Sequence, residues 1–360
     1  MSLAQPKRIL IIKLRHHGDV LLSTPVVDAL KTRFPDCEID MLVYAGTGQL
    51  IADNPQIAQI FTIDRNWKKL GVFKQLACEK NLFSKLKARD YDWAFNLSDQ
   101  WRAAVIAKLC ARCSVGFDCI KRDGFWWRFC HDFINHELDP SHHIVENQLN
   151  ILAPLIQPED VADAKVRLWV AQDARESMRQ KLREQGWNGE DYVLMHPGAR
   201  WHFKCWEDGK NAAIVQLLLN SGQNVVLTAS PDTVEQYMLQ EIIGRLNIPE
   251  GRKVYVLSGC LSLRELAAAI EGAKLFIGVD SAPMHIAAAL DKPQIALFGA
   301  SWVDKWRPYS EQAEVIYAGD YAELPHPDSI DTNDPTRLLK AIPLQDVWDK
   351  ISAKLEALEA

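Results

Sequence analysis

Short apolar segments alternate with amphipathic segments along most of this chain, and this alternation restricts the fold more than any other feature. Residues 8–14 (RILIIKL) form an apolar run with β-branched side chains, which is typical of a strand buried on both faces. Helical spacing follows at residues 19–34, and a strand pattern returns at residues 38–44 (EIDMLVY). Repeated strand–helix–strand patterns predict a parallel sheet covered by helices on both faces, so we predict an α/β fold.

The same alternation occurs in two series. In the first series we predict further strands at 56–64 and 92–97, and helices at 73–89 and 103–109. In the second series we predict strands at 192–196, 224–228, 254–257, 274–279 and 294–298, the last of which closes the series, and helices at 209–220, 233–245, 262–271 and 283–290. Two successive series predict two doubly wound sheets, and ligands bind beyond the carboxyl ends of the strands in such sheets.

The strand–helix alternation is interrupted in the region between the two series. Here we predict a short strand at 168–170 and a charged helix at 173–185. An extended loop is predicted at 324–343 and a last helix at 345–358. We therefore expect four regions, which are a first domain at 1–165, a linker region at 166–188, a second domain at 189–342, and a C-terminal helix within 343–360 that could pack back on the first domain.

Length and composition agree with this organisation and exclude other classes of protein. The chain has 360 residues, enough for about two domains, with 48% apolar and 24% charged residues. A net charge of −6 argues against a partner such as duplex nucleic acid. The N-terminal segment has no signal-peptide pattern, and no run reaches the 18 apolar residues of a membrane span. We expect a cytoplasmic protein without a transmembrane segment.

Eight cysteines are compatible with a reducing compartment. Cys110 and Cys113, with Cys119 and the Cys130-His131 pair nearby, raise the alternative of a zinc site. However, Cys110 and Cys113 close an apolar run with a helical pattern, and the later spacing fits no ordinary zinc module. We expect buried thiols and no metal site.

Three loops that follow predicted strands carry the candidate functional residues. The first has the sequence RHHGDV, in which Gly18 permits a close approach of a ligand and Asp19 offers a carboxylate that could act as a base. An N-cap of the following helix is the structural alternative for Asp19, and the two roles do not exclude each other. His16 and His17 are alternative bases.

The second loop, DSAPMH, ends the strand at 274–279 and opens a helix with a proline in its first turn, which describes a helix N-terminus open to an anion. Asp280 is suited to ligand hydroxyls, and His285 lies about one turn into the helix. A capping Asp or Ser with a core histidine is the structural alternative. The third loop, PGARWHFKCW, crowds cationic and aromatic residues, and Lys204 could place a point charge on a diphosphate.

Common nucleotide-binding motifs are absent from the sequence. No G-x-G-x-x-G opens the first helix, and no G-x-x-x-x-G-K-[ST] occurs. By contrast, residues 65–128 carry 14 Lys or Arg against 6 Asp or Glu, a local excess of +8. The clusters RNWKK and RDGFWWR within this region fit a large anionic ligand or a membrane surface.

Together these loops resemble the lipopolysaccharide heptosyltransferases, which are inverting GT-B glycosyltransferases of family 9. The resemblance is carried by RILIIKLRHHGDVLLSTPVVDALKTRFP, HPGARWHFKCW and GAKLFIGVDSAPMHIAAALDKPQIALFG, and it runs over nearly the whole chain. The opening segment is most similar to the heptosyltransferase III group, which adds the branch heptose to the second inner-core heptose. The resemblance implies two Rossmann-like doubly wound domains that face a central cleft.

The resemblance also implies residue roles. Asp19 matches the family's catalytic base, and the transfer is a single displacement from ADP-heptose without a metal. Matching donor-binding residues are Gly18, Ala199, Arg200, Lys204, Asp280, Ser281 and His285. Predicted acceptor-binding residues are Arg65, Lys68, Lys69, Gln100, Arg102 and Arg122. The chain departs from the family pattern at Ala199-Arg200, at the Cys205 that follows Lys204, and at Ser230-Pro231-Asp232.

The implied partners are ADP-heptose and a lipopolysaccharide inner-core acceptor at the cytoplasmic face of the inner membrane. The alternatives are heptosyltransferase I or II activity on another inner-core acceptor, a GT-B nucleotide-sugar epimerase, and a two-lobed solute-binding protein. An epimerase would not need the basic clusters, and a solute-binding protein is usually exported.

Overall fold

The computed structural model describes residues 5–118, 122–136, 141–157, 161 and 163–359. Chain contacts divide the protein into two units, Met1–Trp169 and Val170–Ala360. The boundary lies inside the region predicted as a linker at 166–188. No helix in the described ranges is both long enough and apolar enough to cross a membrane.

The first unit is built on a parallel sheet that has six strands within the described residues. The strands are β1 Arg8–Lys13, β2 Glu38–Tyr44, β3 Gln59–Ile63, β4 Tyr91–Asn96, β5 Ala111–Asp118 and β6 Phe133–His136. The helices are α1 His17–Leu21, α2 Thr24–Arg33, α3 Val72–Ala88, α4 Trp101–Cys110, α5 Phe125–Phe129 and α6 Ile144–Asn150. The strand order is β3-β2-β1-β4-β5-β6, so the winding direction reverses between β1 and β4.

The second unit repeats this plan with six parallel strands among its described residues. Its strands are β7 Tyr192–His196, β8 Asn224–Ala229, β9 Val254–Ser258, β10 Leu275–Val279, β11 Gln294–Phe298 and β12 Ala313–Tyr317. Its helices are α7 Gln172–Arg183, α8 Asp208–Asn220, α9 Thr233–Ile243, α10 Leu263–Gly272, α11 Ala282–Ala289, α12 Val303–Trp306 and α13 Leu344–Glu359. The order β12-β11-β10-β7-β8-β9 places the reversal between β7 and β10.

The prediction of two doubly wound α/β sheets is therefore confirmed. The apolar run of β1 explains why both faces of the first sheet are covered. Ile9 and Ile11 enter one hydrophobic cluster, whereas Leu10 and Ile12 enter another on the opposite face. In α/β sheets of this order, ligands bind where the winding reverses, which here means the loops after β1 and β4 and those after β7 and β10.

The structure corrects several predicted elements. The helix expected at 19–34 is two helices, because the hydroxyls of Ser23 and Thr24 donate to the carbonyls of Val20 and Leu21 at the break and Pro25 begins a new turn. Residues 168–170 form no strand.

Strands β5, β6 and β12 were not predicted, and β11 therefore does not close the second series. Polar residues interrupt the apolar pattern of β5. Its Ser114 is satisfied only by tertiary contacts, since the hydroxyl donates to the carboxylate of Asp132 at 2.8 Å.

The C-terminal region contributes to the core of the second unit. Helix α13 buries Val347, Ile351 and Leu355 in that core. The loop expected at 324–343 contains two short 3-10 turns, and Leu339 is fully buried in the same core. The amphipathic spacing in α13 indicates a buried face but not which unit covers it.

Candidate active site

The loop after β1 presents Asp19 in an unexpected position. His16 is the N-cap residue of α1, and Asp19 is the third residue of that helix. The structural alternative of Asp19 as N-cap is therefore wrong. The carboxylate is half-buried, and it has no hydrogen bond or ion pair with any residue that the structure describes. Gly18, also half-buried, precedes it in the same turn.

His17 is the first residue of α1, in the same turn as Gly18 and Asp19. Burial lowers the pKa of His17, and the charges of His16 and Arg65 lower it further, so the imidazole is neutral at pH 7. Its Nδ1 is buried without a hydrogen-bond partner among the described residues.

A chain of contacts fixes Arg65 near the end of β1. The Arg65 guanidinium lies over the ring of Tyr44, 4.1 Å from its centroid. The Tyr44 hydroxyl donates a hydrogen bond to the Gln100 side-chain carbonyl. The Gln100 amide in turn donates to the carbonyl of Leu14 at 2.9 Å. The structure thus brings the predicted acceptor residues Arg65 and Gln100 to the loop that carries Asp19.

The other predicted acceptor residues have different surroundings. Arg122 donates to the carbonyl of Asp99 at 2.7 Å, and the Asp99 carboxylate pairs with Arg15 at 2.8 Å, so Arg122 also lies at this edge of the sheet. Arg102 instead pairs with Glu79 of α3 at 2.5 Å and joins two helices. Lys68 and Lys69 are exposed in the 3-10 turn Arg65–Lys69.

In the second unit, the predicted donor residues Lys204 and Asp280 form an ion pair. Lys204 Nζ lies 2.6 Å from an Asp280 carboxylate oxygen, with side-chain exposures of 16% and 6%. Asp280 follows β10, while Lys204 ends the 3-10 turn His202–Lys204 after β7. The fully buried Cys205 and Trp206 anchor that turn in the core. The two loops therefore meet at the reversal of the second sheet.

The remaining donor residues surround this pair. Ser281 occupies the N-cap position of α11, but its hydroxyl donates to the carbonyl of Val279 instead of capping the helix. Pro283 lies in the first turn, as predicted, and His285 is buried. Ala199 is buried, and the exposed Arg200 guanidinium lies 5.7 Å from the centroid of the Trp201 ring.

Sequence reasoning missed a second buried polar cluster beside β7. The Nδ1 of His196 lies 2.9 Å from the Thr228 hydroxyl, and its Nε2 lies 3.7 Å from the Glu235 carboxylate. The same carboxylate accepts the backbone N–H of Ser230 at 2.9 Å. Burial lowers the pKa of His196 against the opposing charge of Glu235. The available signals were that His196 ends a strand and that Glu235 lies in the first turn of a helix.

Gly198 is required by this cluster. A Cβ at position 198 would lie 2.7 Å from a carboxylate oxygen of Glu235, closer than real Cβ contacts. The loop after β7 therefore passes directly over the buried carboxylate, which explains the Pro-Gly sequence at the strand end.

The cysteines of the described ranges are mostly core residues. Burial raises the pKa values of Cys110 and Cys113 to about 11, so both thiols stay protonated. Cys113 lies in β5 rather than at the end of the preceding helix, and Cys119 lies outside the described residues. Within the described ranges, no three His, Cys, Asp or Glu side chains are grouped to hold a metal ion.

The sequence is similar to proteins of one family. The sequence profile of Glycosyltransferase family 9 (heptosyltransferase) matches residues 80–336. The chain is 38% identical to lipopolysaccharide heptosyltransferase 3 of Escherichia coli over 335 residues, which cover 93% of this chain and 95% of that protein.

Solved structures have the same fold. The glycosyl transferase family 9 protein of Veillonella parvula superposes with a TM-score of 0.83 at 22% identity, covering 99% of each chain. The E. coli ADP-heptose lps heptosyltransferase II superposes with a TM-score of 0.75 at 22% identity, covering 98% of this chain and 100% of that one. The chain therefore belongs to glycosyltransferase family 9, the heptosyltransferase family.

Proposed function

We propose that this protein transfers L-glycero-D-manno-heptose from ADP-heptose to an inner-core heptose of lipopolysaccharide, as a heptosyltransferase of type III that adds the branch heptose to the second heptose. The observation that carries this proposal is the 38% identity to a lipopolysaccharide heptosyltransferase 3 over 93% of the chain. Inverting transfer needs a base on the acceptor side and stabilisation of charge on the leaving group.

In this proposal Asp19 is the base. Its carboxylate accepts no hydrogen bond from the described part of the protein, so its lone pairs remain available to an acceptor hydroxyl. Asp19 takes the proton as that oxygen attacks the anomeric carbon and the bond to ADP breaks.

Lys204 and the N-terminus of α11 receive the departing ADP. The ammonium group has three N–H donors, and its contact with Asp280 uses one of them, which leaves donors for a diphosphate. Asp280, held by Lys204, accepts hydrogen bonds from heptose hydroxyls, while Gly18, Ala199, Arg200, Ser281 and His285 complete the donor site. The amides at the start of α11 add the favourable end of a helix dipole.

The acceptor is bound by the first unit, and the donor is bound mainly by the second. Arg65, Lys68, Lys69, Gln100, Arg102 and Arg122 contact the anionic inner core. Because the acceptor is a lipid, the enzyme works in the cytoplasm and peripherally at the cytoplasmic face of the inner membrane.

A product assay tests this function. Purified protein is incubated with ADP-heptose and with truncated lipopolysaccharides that carry no inner-core heptose, the first heptose only, or both the first and the second heptose. We expect transfer only to the acceptor that carries the second heptose, at the branch position, with inversion at the anomeric carbon. Transfer to the acceptor without heptose or to the acceptor with one heptose would assign a type I or type II activity instead. Epimerisation of the donor without transfer would indicate an epimerase.

A further inference from the structure

Exposed apolar side chains concentrate in one part of the first unit. Among the described residues, eleven of the seventeen large hydrophobic side chains that are exposed lie between residues 70 and 133. Phe73 is 89% exposed and Trp126 is 70% exposed. Concentrations of this kind mark interaction surfaces, whereas single exposed apolar residues need no explanation.

These side chains lie on three helices and the residues beside them. The start of α3 exposes Leu70, Val72, Phe73 and Leu76. Helix α4 exposes Trp101, Val105 and Leu109, whose spacing of four residues puts them on one face. Helix α5 exposes Phe125, Trp126 and Phe129, whose ring centroids lie 5.4–6.4 Å apart, and Phe133 follows in β6. We call these eleven residues the aromatic face.

The three helices are neighbours, so the aromatic face is one region of the surface. Glu79 of α3 pairs with Arg102 of α4 at 2.5 Å. Trp101 of α4 packs edge-on against Trp127 of α5, with ring centroids 5.5 Å apart. Arg122 bridges the same two rings.

Positive charge without a counter-ion accompanies the aromatic face. Five exposed lysines on α3 and the turn before it form no ion pair within the described ranges: Lys68, Lys69, Lys74, Lys80 and Lys85. Other cations of the same region are neutralised, for example Lys108 by Asp132 and Arg128 by Asp118. The face therefore combines aromatic groups with uncompensated positive charge.

The parts of the aromatic face at the starts of α3, α4 and α5 lie at the edge of the sheet that carries the proposed base. Helices α3, α4 and α5 begin after the carboxyl ends of β3, β4 and β5, and the Asp19 loop follows the carboxyl end of β1. A surface on which this face rested would thus lie beside the loop with Asp19.

We propose that the aromatic face docks on an anionic lipid surface, with Phe73, Leu76, Trp126 and Phe129 entering the interface between headgroups and acyl chains and the five lysines contacting acidic headgroups. Aromatic side chains and lysines are the residues that favour this interface. A second copy of this chain fits less well, because a two-fold contact would bring the uncompensated lysines of both copies together. The proposal rests on the proposed function, which supplies a lipid acceptor, and it names the surface that meets the bilayer.

Vesicle binding by the full-length protein tests this docking surface. The variant carries Phe73→Gln, Leu76→Gln, Trp126→Gln and Phe129→Gln, all at exposed positions, so folding is retained. Wild type is expected to sediment with phosphatidylglycerol-containing vesicles, less so at high salt, and weakly with phosphatidylcholine alone. The variant should bind the anionic vesicles about tenfold or more weakly.

The matched control replaces exposed apolar residues of the second unit, Ile248→Gln with Leu358→Gln, and should bind vesicles like wild type. The proposal is overturned if wild type does not bind anionic vesicles, if the aromatic-face variant binds them as wild type does, or if that variant only abolishes self-association in sedimentation velocity.

Activity on a deacylated, water-soluble acceptor separates this proposal from the proposed function. The aromatic-face variant should turn over the soluble acceptor at the wild-type rate and lose activity on acceptor embedded in vesicles. If no variant, wild type included, transfers heptose to the soluble acceptor while vesicle binding behaves as expected, the proposed function fails and the docking surface stands.

Discussion

At the scale of single residues, the carboxylate of Asp19 is notable because it has no structural role in the described part of the chain. It does not cap α1, and it has no partner in the described part of the chain, so the folded state gains little from it. A carboxylate kept in a half-buried turn without a structural partner is suited to a proton-transfer role.

The first prediction follows from this. Asp19→Asn should lower the rate of heptose transfer by about 10²–10⁴, because the amide cannot accept the acceptor proton. Stability should change by no more than about 1 kcal/mol, the size of a first-turn interaction with the helix dipole. The rate of product formation measures the loss of transfer activity, and thermal unfolding measures the change in stability. Turnover within a few-fold of wild type would show that another group is the base.

The second prediction concerns the ion pair of Lys204 and Asp280, whose atoms lie 2.6 Å apart. Lys204→Ala should weaken ADP binding about tenfold or more in calorimetry, since it removes a charged hydrogen-bond donor from the diphosphate. Asp280→Asn should leave ADP binding unchanged or tighter, because it frees the ammonium from its counter-ion, yet it should weaken the binding of ADP-heptose.

Lys253→Ala provides the control for Lys204→Ala. Lys253 precedes β9 at the opposite edge of the same sheet and pairs with Glu190 at 3.2 Å, so its loss should not alter ADP binding. An equal loss of ADP affinity in Lys204→Ala and Asp280→Asn would contradict the separate roles of the two residues.

At the scale of elements, the 3-10 turn Arg65–Lys69 carries three of the predicted acceptor-binding residues. Asp64 caps the turn by accepting the backbone N–H of Asn66, which fixes the direction of the turn without using its cations. Arg65 is held over Tyr44, whereas Lys68 and Lys69 are exposed. The turn therefore presents one cation with a fixed orientation, Arg65, and two exposed lysines on flexible side chains. Such a set suits an acceptor that carries several anionic groups.

The third prediction is that replacing Arg65, Lys68 and Lys69 together by Ala raises the acceptor KM and leaves donor binding unchanged. With a deacylated acceptor, the KM of wild type should rise with salt, and the variant should lose most of that dependence, because exposed charges are screened. Steady-state kinetics at several salt concentrations measure both effects.

A variant that removes three cations from the second unit, Arg183→Ala, Arg245→Ala and Lys350→Ala, controls for net charge. If the acceptor KM and its salt dependence in the turn variant equal those of wild type, the three residues only keep an exposed loop soluble.

Predicted and observed elements agree best where the sequence contains its own boundaries. Strands β2, β7 and β11 match their predicted bounds, since apolar runs end at Gly, Pro or charged residues. Strands β5, β6 and β12 could not be predicted, because their pairing depends on neighbours in the sheet. For example, Glu314 of β12 pairs with Lys350 of α13 at 2.5 Å. The local pattern is also weak in β6 and β12, which lie at the edges of their sheets and have one neighbouring strand each.

At the scale of the whole molecule, each unit has its own core and its own reversal of strand order. The proposed division of labour assigns the acceptor to the first unit and the donor to the second. Loops after β7, β8 and β10 of the second unit gather Lys204, Asp280 and the buried Glu235 beneath Gly198. These loops should therefore order when the donor nucleotide binds.

The fourth prediction is that ADP slows hydrogen exchange in the second unit, in the loops at 197–206, 229–236 and 280–285, and leaves the loop at 14–19 unchanged. At about 100 times its dissociation constant, a ligand stabilises the region it binds by about 2.7 kcal/mol. Hydrogen-exchange mass spectrometry on the full chain measures this. Equal protection of 14–19 and 280–285 by ADP alone would contradict the assignment of the nucleotide to one unit.

The sequence by itself determined the two α/β sheets, most of their elements and the three loops that carry the candidate residues, because buried strands and helix boundaries are encoded by neighbouring residues. Only the tertiary structure decided which distant residues meet. Lys204 and Asp280 are 76 positions apart, and His196 and Thr228 are 32 apart. The structure also showed that Asp19 is not an N-cap, that Arg102 pairs with Glu79, and that Trp101, Val105 and Leu109 of α4 are exposed to solvent. Such contacts depend on the strand order and on which faces pack together. The periodicity of apolar residues indicates that a helix or strand has an apolar face, but it does not indicate which element packs against that face.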